Sequence, residues 1–256
     1  MKYKIILCIL LILLILFSFI VKYYYLNNNI EKFTLNNLKD TEFYVLYVPK
    51  REKYIKNVLK NLNFRINYIL GPDKNKLKKN ELVKNNTITP EYSKKTNTGR
   101  IACHLGHLKI LKEFLKTDKK YAIIFEDDIK IDNYKETERK IKTILENLPD
   151  KFDIIYFDYC WTKCKKTKKY NDYLNHTIST LCRHFYLVSK NGAQIIVNNT
   201  LPMYHNGDNM YAELVKNKKL ISFDVRNDYF NIKQNREQLG SELLNDNGLE
   251  LPKCVN

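Results

Sequence analysis

Tyr121-Ala-Ile-Ile-Phe125-Glu126-Asp127-Asp128 decides how this chain is read. The apolar run is rich in β-formers and predicts a buried central strand. The three acids that follow fall where open α/β sheets bind ligands, just beyond the carboxyl ends of their strands. Adjacent carboxylates repel one another. A hard divalent cation offsets that repulsion, and oxygen ligands suit Mg²⁺ or Mn²⁺. A metal in such a crevice suggests a phosphate-bearing substrate. The competing reading is a solvated acidic turn.

Upstream, Phe43–Val48 predicts a strand stopped by Pro49. Ile55, Val58, Leu59 and Leu62 recur at helical spacing over 52–62, and Phe64–Leu70 predicts a second strand. This β-α-β opening implies parallel strands. Residues 73–98 are polar and rich in Lys and Asn, and read as a long loop with some helix, a candidate flap. A helix over 99–115 carries the stripe Leu105, Leu108, Leu111 and Leu115. His104 and His107 are neighbours on its surface. They suit local hydrogen bonding better than metal ligation.

Downstream, a helix over 134–148 precedes a strand over 152–157. Another strand spans 185–188, a helix spans 190–198, and Asp208 lies in a loop over 201–210. A short helix at 213–216 and a strand at 220–223 complete the pattern. Strands alternating with helices give an α/β fold with a mostly parallel sheet.

The 256 residues suffice for one large domain, read here as 41–256. The net charge is +16, but the lysines are spread along the chain, with short clusters at 74–79 and 163–169. The general excess of Lys, Asn, Ile and Tyr fits an AT-rich genome, such as that of a large DNA virus or a parasite. No nucleic-acid-binding spacing accompanies the charge, so a solvated basic surface is expected and nucleic acid is not.

Ile5–Val21 is an apolar run of seventeen residues broken only by Cys8 and Ser18, with lysines on both flanks. Its length is at the short end of what spans a bilayer. Lys22-Tyr23-Tyr24-Tyr25 follows where a signal peptide would show small residues, and resembles an interfacial anchor. Residues 1–22 therefore read as an uncleaved transmembrane anchor and 23–40 as a stem. The small lysine bias favours a single-pass, type II arrangement with the domain lumenal or outside. In a viral or eukaryotic setting that means host ER or Golgi membranes.

Six cysteines include Cys8, which leaves an odd number in the domain and argues against a complete disulfide framework. Cys160 and Cys164 could close a small loop. Asn85, Asn175 and Asn198 begin glycosylation sequons, as in a glycoprotein, although an Asn-rich chain makes sequons easily.

Several of these segments together resemble glycosyltransferase family 25, from about Phe43 to Leu243. That family includes bacterial lipooligosaccharide galactosyltransferases and procollagen galactosyltransferase domains. Its pattern is Gly-x-x-Gly-Cys-x-x-Ser-His, a helix, then an apolar strand ending in Glu-Asp-Asp. Here Gly99-Arg-Ile-Ala-Cys103-His-Leu-Gly-His107 precedes Glu126-Asp127-Asp128, with Ala102 for the second glycine and Gly106 for the serine. Phe152–Tyr156, Phe185–Ala193, Asp208, Gly240-Ser241-Glu242 and Arg51 follow the family order.

The resemblance implies a GT-A, Rossmann-like fold and hexose transfer from a UDP-sugar with inversion. The acceptor would be a glycan, a lipid-linked sugar or hydroxylysine. It implies Mn²⁺ or Mg²⁺ held by Asp128 with Glu126. Donor contacts would come from Arg51, Gly99, Arg100, Glu126 and Asp127. Asp208 would be the general base, Asp127 would join the catalytic group, and His107 would support the acids. The departures at Ala102, Gly106 and the opening strand keep open the alternative of an inactive binding or structural relative.

Overall fold

The computed structural model describes residues 12–23, 37–226, 229–230, 232–240 and 254–255. Residues 12–23 form a helix, α1, whose apolar side chains are exposed. The rest of the expected anchor and most of the stem lie outside the described residues. Among the described residues no helix is long and apolar enough to cross a membrane.

The domain starts with β1 (Thr41–Tyr47), α2 (Glu52–Leu59) and β2 (Ile66–Leu70). Next come α3 (Lys79–Lys84), α4 (Pro90–Lys95) and α5 (Thr98–Leu115). β3 (Tyr121–Glu126), β4 (Ile129–Ile131), α6 (Tyr134–Glu146) and β5 (Ile154–Cys160) follow. Then come the short β6 (Lys168–Lys169) and β7 (Leu174–His176), the long β8 (Leu181–Ser189) and α7 (Lys190–Asn199). α8 (Gly207–Lys216), β9 (Ser222–Val225), β10 (Ile232–Gln234) and α9 (Arg236–Leu239) close the described part.

One eight-stranded sheet has the order β2-β1-β3-β8-β5-β9-β7-β6, and β4 pairs with β10 in a small second sheet. β1 is parallel to β2 and β3, and β5 is parallel to β9. β8 is antiparallel to both β3 and β5. The sheet is therefore mixed rather than mostly parallel. The chain returns from β5 through short strands instead of a helical crossover, so β8 runs back against its neighbours.

Helices cover both faces. α2 and α6 bury Ile55, Leu59, Ile141, Ile144 and Leu145 against one side. α5, α7 and α8 bury Leu108, Leu111, Ala193, Ile196 and Leu214 against the other. α5 is buried well beyond the expected leucine stripe, because α7 and α8 pack on it as well as the sheet. The expected flap is instead two short docked helices. Leu82, Ile88 and Tyr92 join Ile101, Met203 and Met210 in a third cluster.

Local signals set the helix starts. Asn97, Asn133 and Ser189 each accept a backbone N–H at the head of α5, α6 and α7. Thr89 caps α4 with Pro90 in the first turn. The third position after Ser189 admits only glycine in practice. A Cβ on Gly192 would overlap the backbone carbonyl of Asp153, which ties α7 to the start of β5.

The cysteines pair differently from the small loop considered above. Cys160 bonds Cys182, with Cα atoms 5.6 Å apart, and Cys164 bonds Cys254, with Cα atoms 5.4 Å apart. Cys160 lies opposite Leu181 in the β5–β8 register, which puts Cys182 within bridging range. Cys103 is free. Nearby, Thr180 Oγ1 donates to Asp224 Oδ1 at 2.6 Å and Thr162 Oγ1 to Oδ2 at 3.2 Å. Burial pushes the Asp224 carboxyl up to about 7 despite these donors.

Two outcomes follow for stability. Gly192→Ala should cost about 1–3 kcal/mol from overpacking, read as a lower denaturation midpoint at unchanged m-value. Asp224 has a raised folded pKa, so its stabilising contribution is complete below pH 4 and fades as pH rises through about 7. Urea midpoints between pH 5 and pH 8 should therefore fall less in Asp224→Asn than in the parent.

Candidate active site

β3 ends at Glu126, and Asp127-Asp128 turns the chain into β4. Strand geometry does not persist to Asp128, so the three acids have three separate settings. Ala122 and Ile124 face the α5 side of the sheet, and Glu126 continues that face. Ile123 and Phe125 face the α2 side.

Glu126 meets the helix that precedes it in sequence. Its Oε1 lies 2.8 Å from His107 Nε2 and 3.7 Å from Cys103 Sγ. His107 Nδ1 lies 3.1 Å from the Tyr186 hydroxyl. Burial, reinforced by the charge of Arg183, drives the His107 pKa well down. The ring is thus neutral, donating from Nε2 to the carboxylate and accepting from the tyrosine. Burial pushes both Glu126 and the Cys103 thiol up. Cys103, His107 and Glu126 each offer a ligand atom, all within 4.8 Å of one another. Such a mixed donor set suits zinc better than Mn²⁺, and here the three groups bond to each other.

Asp127 is locked inward. Its Oδ1 accepts from Arg51 Nη1 at 2.8 Å and its Oδ2 from the Val48 amide at 2.7 Å. Arg51 is 4% exposed, and its Nη2 also donates to the Gly240 carbonyl at 2.9 Å. Arg51 and Asp127, both expected on the donor side, are here bound to each other, and the pair ties the β1 end to the β3 end. Burial outweighs the arginine and raises the Asp127 pKa to about 6.

Asp128 has longer contacts: Gln234 Nε2 at 3.3 and 3.4 Å and Arg51 Nη1 at 3.5 Å. Its backbone carbonyl accepts from the Asn235 amide. Burial, then the charge of Glu126, pushes its carboxyl up. A buried carboxylate with only long contacts fits a hard cation, which would hold it ionised.

Asp208 stands in the first turn of α8, not in a closing loop. Its Oδ1 accepts from Arg183 Nε, and the Arg183 guanidinium lies 4.5 Å over the Tyr211 ring. The Asp208 side chain is 33% exposed, against 18% for Glu126, 10% for Asp128 and 8% for Asp127. The charge of Asp208 reaches Glu126, Cys103 and His107, so the pair borders the same cluster. Gly99 is buried in the first turn of α5, and Arg100 is half-buried one turn before Cys103. Among the described residues no hydrogen bond or ion pair joins either of them to the acids.

Sequence reading missed Arg183, His184 and Asp158. Phe125 pairs with Phe185 across β3 and β8, which sets Arg183 and His184 beside the acid end. His184 Nε2 bonds Asp158 Oδ2 at 2.7 Å. Burial opposes charge on His184, but the bond and charge of Asp158 outweigh it and raise its pKa. The departure at Gly106 has a packing reason: a Cβ there would come 2.6 Å from a Leu46 methyl on β1.

The family model described as glycosyltransferase family 25 (LPS biosynthesis protein) matches residues 35–211. The match stops before the terminal Gly240-Ser241-Glu242 likeness, and Ser241 and Glu242 lie outside the described residues. No curated protein matches. A cytidylyltransferase from Leptospira borgpetersenii serovar Hardjo-bovis is similar at a TM-score of 0.42 and 11% identity, over 78% of this chain and 85% of that one. The apo-form glycosyltransferase GlyE of Streptococcus pneumoniae TIGR4 is similar at a TM-score of 0.35 and 11% identity, over 71% of this chain and 45% of that one.

The Arg51–Asp127 strut makes a testable statement. Arg51→Met should destabilise by about 3–5 kcal/mol at pH 8, where it strands a buried carboxylate. Without the arginine the Asp127 pKa rises further, so the loss should shrink at pH 5, where the group takes up a proton. Denaturation midpoints at the two pH values check both the size and the sign.

Proposed function

Because the chain belongs to glycosyltransferase family 25, we propose that it moves a hexose, galactose or glucose, from a UDP-sugar to an acceptor hydroxyl with inversion. The acceptor classes are a glycan, a lipid-linked sugar or hydroxylysine. That the chain is a glycosyltransferase follows from the family. The donor, acceptor, stereochemistry and metal are the reading advanced here.

One observation carries that reading. The end of β3 holds three carboxylates of which two are tied inward and one, Asp128, keeps only long contacts. Asp128 is the residue we assign to Mn²⁺ or Mg²⁺, with the second oxygen of Glu126 beside it. The cation supplies charge neutralisation to a departing nucleotide diphosphate. Asp127 holds the turn and contributes through position. His107, neutral and hydrogen-bonded, orients Glu126.

Asp208 is the assigned base, since it is the most open carboxylate of the cluster and an acceptor hydroxyl can reach it. Arg183 fixes its orientation from β8. Gly99 and Arg100 remain donor-side candidates through the helix that carries Cys103 and His107.

We further propose that the domain works on the non-cytosolic side of a membrane, held by its N-terminal segment. Exposure of the apolar side chains of α1 supports this. So do two disulfides, which persist in oxidising compartments.

Asp128→Ala should fold like the parent, because no short bond is lost. Its metal-stimulated UDP-hexose hydrolysis should fall by about 100-fold or more. A panel of UDP-sugars assayed with and without Mn²⁺ identifies the donor. Full activity in the variant, or no metal stimulation with any UDP-sugar, would sink the assignment.

A further inference from the structure

Cys103 and His107 stand one helical turn apart on α5, and both reach the end of β3. Cys103 Sγ, His107 Nε2 and Glu126 Oε1 all lie within 4.8 Å of one another. The close approach of α5 to the sheet brings them together. Gly106, between Cys103 and His107 in sequence, lies against Leu46 of β1, where a Cβ would come within 2.6 Å of a methyl carbon. His104 is turned elsewhere, with its Nε2 3.2 Å from the Thr200 carbonyl.

Thiol, imidazole and carboxylate are the donor types that hold zinc. Tetrahedral zinc, with bonds of about 2.0 Å to N and O and about 2.3 Å to S, sets its ligand atoms roughly 3.3–3.6 Å apart. The 3.7 Å between Cys103 Sγ and Glu126 Oε1 already matches that spacing. The 2.8 Å between His107 Nε2 and Glu126 Oε1 has to open by about 0.5 Å. One thiolate and one carboxylate balance the charge of Zn²⁺, so this ligand set buries no net charge. Arg183, which borders the cluster, is already paired with Asp208.

His107 also has the outer partner that a ligating imidazole needs. Its Nδ1 lies 3.1 Å from the Tyr186 hydroxyl. On metal binding the ring proton passes from Nε2 to Nδ1, which then donates to the tyrosine oxygen, and the Cys103 thiol releases its proton to solvent. The Glu126 side chain is 18% exposed and Cys103 is partly exposed, so the cluster opens to solvent on that side. Water takes the fourth position.

We propose that Cys103, His107 and Glu126 form an inhibitory zinc site. Zinc there commits Glu126 and withdraws it from the cation assigned to Asp128. The site stands on geometry, and only its inhibitory effect rests on the reaction proposed above.

Co²⁺ serves as the spectroscopic stand-in for zinc. Added to the full-length protein, it should give tetrahedral visible bands and a near-ultraviolet thiolate-to-metal band, both lost on adding Zn²⁺. Cys160, Cys164, Cys182 and Cys254 are held in disulfides, and Cys8 is kept in every variant, so Cys103→Ser isolates the signal. That variant should lose the thiolate band and bind zinc about 100-fold more weakly, and Tyr186→Phe about 10-fold more weakly. In the parent, zinc should protect Cys103 from alkylation by iodoacetamide, read by peptide mass, which needs no variant. Zinc should also remove most Mn²⁺-stimulated UDP-hexose hydrolysis, and a zinc-selective chelator should restore it. Cys103→Ser, measured against its own zinc-free rate, should resist the same zinc concentration. No thiolate band, a full band in Cys103→Ser, or alkylation indifferent to zinc would overturn the site. Zinc that protects Cys103 without slowing hydrolysis would overturn the inhibition. A Cys103-dependent band in a chain that hydrolyses no UDP-sugar upholds the site and counts against the transfer reading alone.

Discussion

Desolvation of carboxylates at one end of a sheet is the constraint on which this architecture turns. Glu126, Asp127, Asp128 and Asp158 are drawn out of water within a few residues of the β3 and β5 ends. Burial alone would neutralise them. Each is answered from a different element: Glu126 by His107 of α5, Asp127 by Arg51 before α2, and Asp158 by His184 of β8. Asp208 draws on Arg183, also from β8. The helices and the reversed strand are thus coupled to the acids by hydrogen bonds and ion pairs as well as by packing. Asp128 has the weakest answer, and that residual need is what makes it the metal candidate.

The antiparallel placement of β8 is the second determinant. Had this strand been parallel to β3, its N-terminal residues would lie at the opposite end of the sheet. Running backwards, it brings Arg183 and His184 to Glu126 while Leu187 and Val188 fill the core. One strand supplies both hydrophobic mass and the basic side chains Arg183 and His184 of the site. The Cys160–Cys182 bridge closes the β5–β8 pair where its register becomes irregular.

Much of the fold was legible because its signals are local. The apolar run before Glu126, Ser189 at the head of α7 and the spacing of Ile55 and Leu59 all correspond to observed elements. The acid end was legible as a site because three charges follow a buried strand. The site's cations were not. Leu181-Cys-Arg-His interrupts the apolar pattern of Phe185–Val188, so that pattern marks the strand only from its fifth residue. Arg51 was legible as important, but its direction depends on the Asp127 carboxylate and on carbonyls near Gly240, which meet it only in three dimensions. The docking of 79–95 was hidden for the same reason: its few apolar residues are completed by Met203 and Met210 far along the chain.

The arrangement also separates two jobs that a run of three acids might be thought to share. Neutralising a leaving diphosphate requires a carboxylate that stays ionised and open to a cation. Holding the turn requires one whose oxygens are already committed. Asp127 and Asp128 are adjacent in sequence, yet Arg51 lies 2.8 Å from one and 3.5 Å from the other. That difference commits the first and leaves room at the second. The arginine therefore decides which acid of the run is structural, and a base for the acceptor must come from elsewhere. In the reaction proposed above that role falls to Asp208 of α8, which a second arginine holds at the rim of the same cluster and which is the most exposed of these four carboxylates.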